Sequence, residues 1–143
     1  MTLDVFQLGQ CELQAGLFES LDRRNVDAKA FIRAFMNSDA AVGLDASYDR
    51  MQWAGEEYIF QEVMESARLK PDPDCPRYNT EALFYAGWIY RYWHFKTGES
   101  SKEIYRQADE NRILLAYGLH TESNDMAVDD LRARPEAESV CVT

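Results

Sequence analysis

Apolar side chains in TEALFYAGWIYRYWHFKT, residues 80–97, fall on every side of a 3.6-residue helical wheel, and a helix apolar all round is usually a core helix. Leu83, Phe84, Tyr85, Trp88, Ile89, Tyr90, Tyr92, Trp93 and Phe95 make up this set. The stretch is too short, and too interrupted by Gly87, Arg91 and His94, to span a membrane. The pattern therefore predicts a central helix over about 80–96, with the rest of the chain arranged around it.

Before that helix the pattern is broken into shorter pieces. LDVFQL, residues 3–8, alternates weakly and fits either a short strand or the first turn of a helix running on to Leu21. Asp27 is a candidate N-cap for a helix over 28–36, whose inner face carries Phe31, Ile32 and Phe35. Asn37 and Ser38 end it and cap a short segment packing through Ala41, Val42 and Leu44. A connection over 45–52 follows, with Tyr48, Met51 and Trp53 as expected buried anchors. A helix over about 53–69 carries Trp53, Ile59 or Phe60, Val63, Met64 and Ala67 as its stripe. KPDPDCP, residues 70–76, forbids a continuous helix, because each proline removes a donor and holds its predecessor extended.

Asn79 or Thr80 caps the central helix, and Gly98 ends it. Ser100 with Glu103 matches a capping box for a new helix that buries Ile104 and Ala108. A continuation or restart from Asp109 carries Ile113, Leu114 and Tyr117 as far as Gly118. A last helix over about 124–132 presents Met126, Val128 and Leu131. The fold class expected is all-α, a compact single-domain bundle of six to eight helices over 1–133. The polar run over 134–143 is expected to be a disordered tail.

Composition narrows the chemistry. The 143 residues carry 25 acidic against 15 basic side chains, a formal net charge of -10. Such a surface repels phosphate backbones, so direct nucleic-acid binding is not expected, and it favours a basic partner or plain solubility. Cys11, Cys75 and Cys141 are widely separated and odd in number, which points to a reducing compartment. MTLDVFQLGQ has neither a basic start nor an apolar run, so no signal peptide is expected and the cytoplasm is the predicted location.

No motif for a reaction accompanies these features. His94 and His120 are the only histidines. His94, between Trp93 and Phe95, reads as a hydrogen-bonded core or boundary residue, and His120 as a capping or surface residue. No nucleophile elbow, zinc spacing, EF-hand loop or P-loop is present, so no catalytic residue, metal or cofactor is assigned. The unusual feature is charge set among aromatics. Arg91 stands between Tyr90 and Tyr92 and must find a carboxylate, for which Glu56 or Glu57 is the expected partner. Alternatively Arg50, Trp53, Glu56, Glu57, Trp88, Arg91, Tyr92 and His94 line a groove for a partner, since Trp, Tyr and Arg dominate interface hot spots.

The strings AFMNSD, YDRMQWAGEEYI, YAGWIYRYWH, TGESSKEIY and LHT followed by DMAVDDL resemble, in order and spacing, a family of small acidic bacterial proteins associated with toxin-antitoxin-like cassettes. In these cassettes they stand beside toxins of the ADP-ribosyltransferase kind. The resemblance covers about residues 28–131 and brings no catalytic residues with it. It implies the antitoxin or accessory member, a non-catalytic inhibitor acting by direct contact with a protein partner. The chain lacks the mixed sheet pattern and the Arg, Ser and Glu set of such a toxin. Two other expectations stand beside this one: an acidic nucleic-acid mimic of the phage-inhibitor type, and a small helical enzyme using His94, Arg91 and Glu56 or Glu57.

Overall fold

The computed structural model describes residues 1–46, 49–118 and 123–133. Among them are eight α-helices and no strand: α1 Val5–Glu19, α2 Ala28–Met36, α3 Asp39–Asp45, α4 Glu56–Ala67, α5 Thr80–Thr97, α6 Ser101–Gln107, α7 Glu110–Ala116 and α8 Asn124–Ala133. A 3-10 turn, Arg50–Trp53, joins α3 to α4. The all-α bundle expected from the pattern is the fold. No helix among the described residues is long and apolar enough to cross a membrane.

Helix starts follow the side chains that can accept a free backbone N–H. Asp4, Asp27, Ser38, Asn79, Ser100 and Asp109 each cap the helix that follows. Asp4 and Gln7 form a reciprocal capping box, which makes 5–8 the first turn of α1 and excludes the strand alternative. Ser100 accepts from the Glu103 N–H at 3.2 Å, as the sequence predicts. Helix α7 is a restart, separated from α6 by extended Ala108 and capped by Asp109. Gly98 ends α5 at φ 79°, a left-handed conformation that suits glycine. The proline loop is tied down by Arg77, which donates to the Asp22 and Pro73 carbonyls and to Asn25 Oδ1.

Helix α5 packs most extensively on α1 and also meets α6, α7 and α8. The α1–α5 crossing is close because Gly87 has no side chain: a Cβ there would stand 2.5 Å from the Gln14 carbonyl oxygen and 2.8 Å from Ala15 Cα. Around this pair the core gathers Phe18, Phe31, Phe35, Ile59, Leu83, Ile89, Tyr90, Trp93, Ile104 and Ile113. Phe18 meets Phe31, Phe35 and Tyr90 edge to face. Tyr90 donates its hydroxyl hydrogen to the Ala108 carbonyl at 2.7 Å, which fastens α6 to the centre.

Several expected anchors are not buried. Trp53 is 77 % exposed, and it is Gln52 that turns inward from the 3-10 turn, donating to the Ala46 carbonyl. Val42 and Met126 are exposed while their neighbours Ala41, Leu44, Val128 and Leu131 are buried. Helix α5 is itself not sealed all round: Phe84 is exposed and Tyr85 and Trp88 are half-buried. Tyr48, His120 and the predicted tail over 134–143 lie outside the described residues.

Candidate functional site

The eight side chains expected to share a groove are divided by the structure into three settings. Arg91, Tyr92 and His94 belong to the interior or its edge. Glu56 and Glu57 belong to a surface ion-pair cluster. Arg50, Trp53 and Trp88 face solvent wholly or in part.

Arg91 is 1 % exposed, and its carboxylate is Asp45, at the end of α3, not Glu56 or Glu57. Its Nη1 donates to Asp45 Oδ1 at 2.7 Å and its Nε donates to Gln14 Oε1 at 2.9 Å. Asp45 also accepts from the Ser101 N–H at 2.7 Å and from the Ser101 hydroxyl at 2.9 Å. One carboxylate thus joins α3, α5 and α6, while Gln14 brings in α1. Burial lowers the guanidinium pKa, and Asp45 opposes that shift. Arg91 Nη2 and Gln14 Nε2 are buried without a hydrogen-bond partner. Nearby Cys11 is fully buried, and burial pushes its thiol up to about 12, which leaves it inert at neutral pH.

His94 sits at the rim of this cluster. Its Nδ1 is 2.7 Å from the Glu99 carbonyl, which can only accept, so Nδ1 carries the hydrogen and is engaged in holding the α5–α6 turn. Asp45 Oδ1 is 3.7 Å from the same nitrogen. None of three described surface depressions is lined by Arg91 or His94. The boundary-residue reading of His94 fits this geometry, and Arg91, sealed in the core, does not meet solvent-borne ligands. No group of three or more metal-ligating side chains occurs among the described residues.

Glu56 and Glu57, in the first turn of α4, both engage Arg24. Arg24 Nη2 is 3.3 Å from Glu56 Oε2 and Nη1 is 2.9 Å from Glu57 Oε2. The guanidinium also lies 4.1 Å above the centre of the Phe60 ring. Hydrogen bonds from Gln61 and then Arg24 lower the Glu57 pKa. These carboxylates are matched within the chain.

The solvent-facing aromatics form two separate patches, one by the first turn of α1 and one by its last residue, Glu19. In the first, Trp53 stacks at a tilt on Phe6, ring centres 5.5 Å apart, beside exposed Val5. Arg50 is exposed at the start of the same 3-10 turn. The turn is fixed by Asp49, which caps it, and by Gln10, which donates to the Gln52 carbonyl at 3.2 Å. In the second, Phe84, Tyr85, Trp88, Tyr117, Glu19 and Glu81 line a depression of about 390 Å³. Tyr92, by contrast, is buried and gives its hydroxyl hydrogen to Asp125 Oδ1 at 2.6 Å, docking α8.

Trp53 and Trp88 are both candidate partner-binding residues in the sequence, but nothing along the chain pairs Trp53 with Phe6 or Trp88 with Phe84. The second pairing has a local signal, since residues 84 and 88 are one helical turn apart. In comparisons with known proteins, no family model, no curated relative and no solved structure matches the chain.

Proposed function

We propose that this chain is a non-catalytic binding protein, an antitoxin-like inhibitor that neutralises a basic partner enzyme by direct contact. The observation that carries the reading is Trp53: a tryptophan 77 % exposed, supported by Phe6 and held on a capped turn. A large rigid aromatic in the open loses area to water that an interface would recover, and such residues supply most of the binding energy where they occur. The net charge of -10 supports a basic partner, because complementary charge accelerates encounter. The resemblance of five strings to cassette-encoded acidic proteins supports the antitoxin assignment. Cys11 and Cys75, both free thiols, fit the cytoplasmic setting that this assignment entails.

The test is capture from the native host with the tagged chain, run side by side with Trp53→Ala. A basic enzyme recovered in near-equal amount with the wild-type chain and lost with the variant is the expected result. Because Trp53 is exposed, the variant should keep its unfolding free energy to within about 0.5 kcal/mol. Recovery of the same partner by both chains would remove Trp53 from the interface, and recovery of no partner by either would overturn the inhibitor reading.

A further inference from the structure

The depression on the exposed side of α5 combines features that select one kind of occupant. Phe84 and Trp88 stack nearly parallel, ring centres 6.4 Å apart and planes inclined by 19°, and Tyr85 meets Tyr117 edge to face at 5.6 Å. Aromatic faces carry a negative quadrupole, so a wall built from them attracts cations. The two remaining lining residues are both carboxylates, Glu19 and Glu81, and among the described residues no basic side chain lines the site.

Both carboxylates are positioned for an external cation. Glu81 is exposed and accepts the Tyr117 hydroxyl hydrogen at 2.5 Å, which fixes the position of the carboxylate without cancelling its charge. Glu19 is exposed at the C-terminal end of α1, where the helix dipole is already negative, and no basic residue stands in that last turn. A glutamate there is unfavourable for the helix and is relieved by a positive charge from outside. Tyr85 adds a buried hydroxyl with no hydrogen-bond partner in the same wall.

We infer that this aromatic and acidic depression receives an arginine side chain from a basic segment of a protein partner. The guanidinium would lie against the Trp88 and Phe84 faces while its N–H groups reach the Glu19 and Glu81 carboxylates. Arginine fits better than lysine because its planar, weakly hydrated head both stacks on rings and presents several donors in a fixed fork. The inference rests on the reading of the chain as a protein-binding module, but it concerns a patch that shares no residue with the one around Trp53.

The experiment is titration of the full-length, 15N-labelled chain with capped tri-arginine peptide, following the three tryptophan indole N–H signals. Trp53→Phe and Trp88→Phe assign them. The Trp88 signal should move saturably, with a midpoint near or below about 1 mM for so small a probe, while the Trp53 and Trp93 signals stay in place. Added salt should weaken the effect. The Glu19→Gln/Glu81→Gln double variant, its fold checked by circular dichroism, should bind about three- to tenfold more weakly.

Three results would each overturn the proposal. These are an immobile Trp88 signal at about 10 mM peptide, an equal response to the neutral isostere tri-citrulline, and undiminished binding by the double variant. Free guanidinium at equal molarity acting as well as the peptide would refute a peptide source. Failure here with Trp53-dependent capture intact removes only the pocket. Loss of capture with a responsive Trp88 removes the inhibitor reading and leaves the pocket standing.

Discussion

Replacing Arg91 by leucine tests the buried polar node directly. The substitution leaves Asp45, whose side chain is 11 % exposed, with the two donors of Ser101 and without its cation, and deprives Gln14 Oε1 of its donor. Removing one partner of a buried ion pair typically costs about 3–5 kcal/mol, chiefly because the survivor stays buried and uncompensated. Two effects reduce the loss here. Leucine adds apolar burial, and the unpartnered Arg91 Nη2 disappears with the side chain. About 3 kcal/mol is therefore expected for Arg91→Leu, a fall of about 10 °C in the thermal midpoint for a chain of this size.

Asp45→Asn should cost more, since it leaves the guanidinium uncompensated at a site only 1 % exposed. The double variant should lose clearly less than the sum, with a coupling of about 1–3 kcal/mol. Urea unfolding of the four chains, followed by circular dichroism, gives all the terms. A loss below about 1 kcal/mol for Arg91→Leu, or additivity of the two single changes, would refute the claim that Asp45 and Arg91 compensate each other.

Gly87→Ala should destabilise by about 1–3 kcal/mol, because its Cβ would meet the α1 backbone, which cannot rotate away. Gly9→Ala is the control of opposite sign: nothing lies within 4 Å, and the gain in helix propensity is up to about 1 kcal/mol. Equal unfolding midpoints for the two variants would refute the close crossing. Glu110, 2 % exposed, is pushed up by burial, but hydrogen bonds from Tyr105, its own backbone and Arg33 outweigh this and hold its pKa below the ordinary value. Its stabilisation is present above the unfolded pKa of about 4.3 and is lost as pH falls through the lower folded value. Glu110→Gln should therefore be less stable than wild type at neutral pH and lose less on acidification below about pH 4.3. Parallel acid dependences in a series of urea titrations would argue against that role.

What could be read along the chain was local. Helix starts after Asp27, Ser38, Asn79 and Ser100 follow from side chains that accept the first free N–H groups, and the α5 stop follows from Gly98. What could not be read was remote pairing. Arg91 needs a carboxylate, but its sequence cannot say that the partner is 46 residues away rather than on the preceding helix. A faint signal exists: Asp45 closes the apolar run AAVGL, where an acid must either be exposed or be paired.

Trp53, expected as a buried anchor, is exposed because hydrophobicity sets a preference for burial and not a direction. The 3-10 turn faces Gln52 inward instead, where its amide closes the preceding loop. The all-round apolar wheel of α5 likewise concealed an open side. Among the described residues the other seven helices do not enclose it fully, which leaves Phe84 exposed and Tyr85 and Trp88 half-buried.

The close fit of α1 to α5 also bears on how the chain is made. Gln14 and Arg91 are 77 residues apart, so at roughly 5–20 residues per second α1 waits about 4–15 s during synthesis before its main partner exists. Over that interval Leu17 and Phe18, both fully buried in the finished fold, have only α2 to α4 to cover them. Until α5 arrives, that apolar surface is incompletely covered, and incompletely covered apolar surface is what proteases and chaperones act on. The chain's cellular level would then be set as much by the pace of translation as by the stability of the completed bundle.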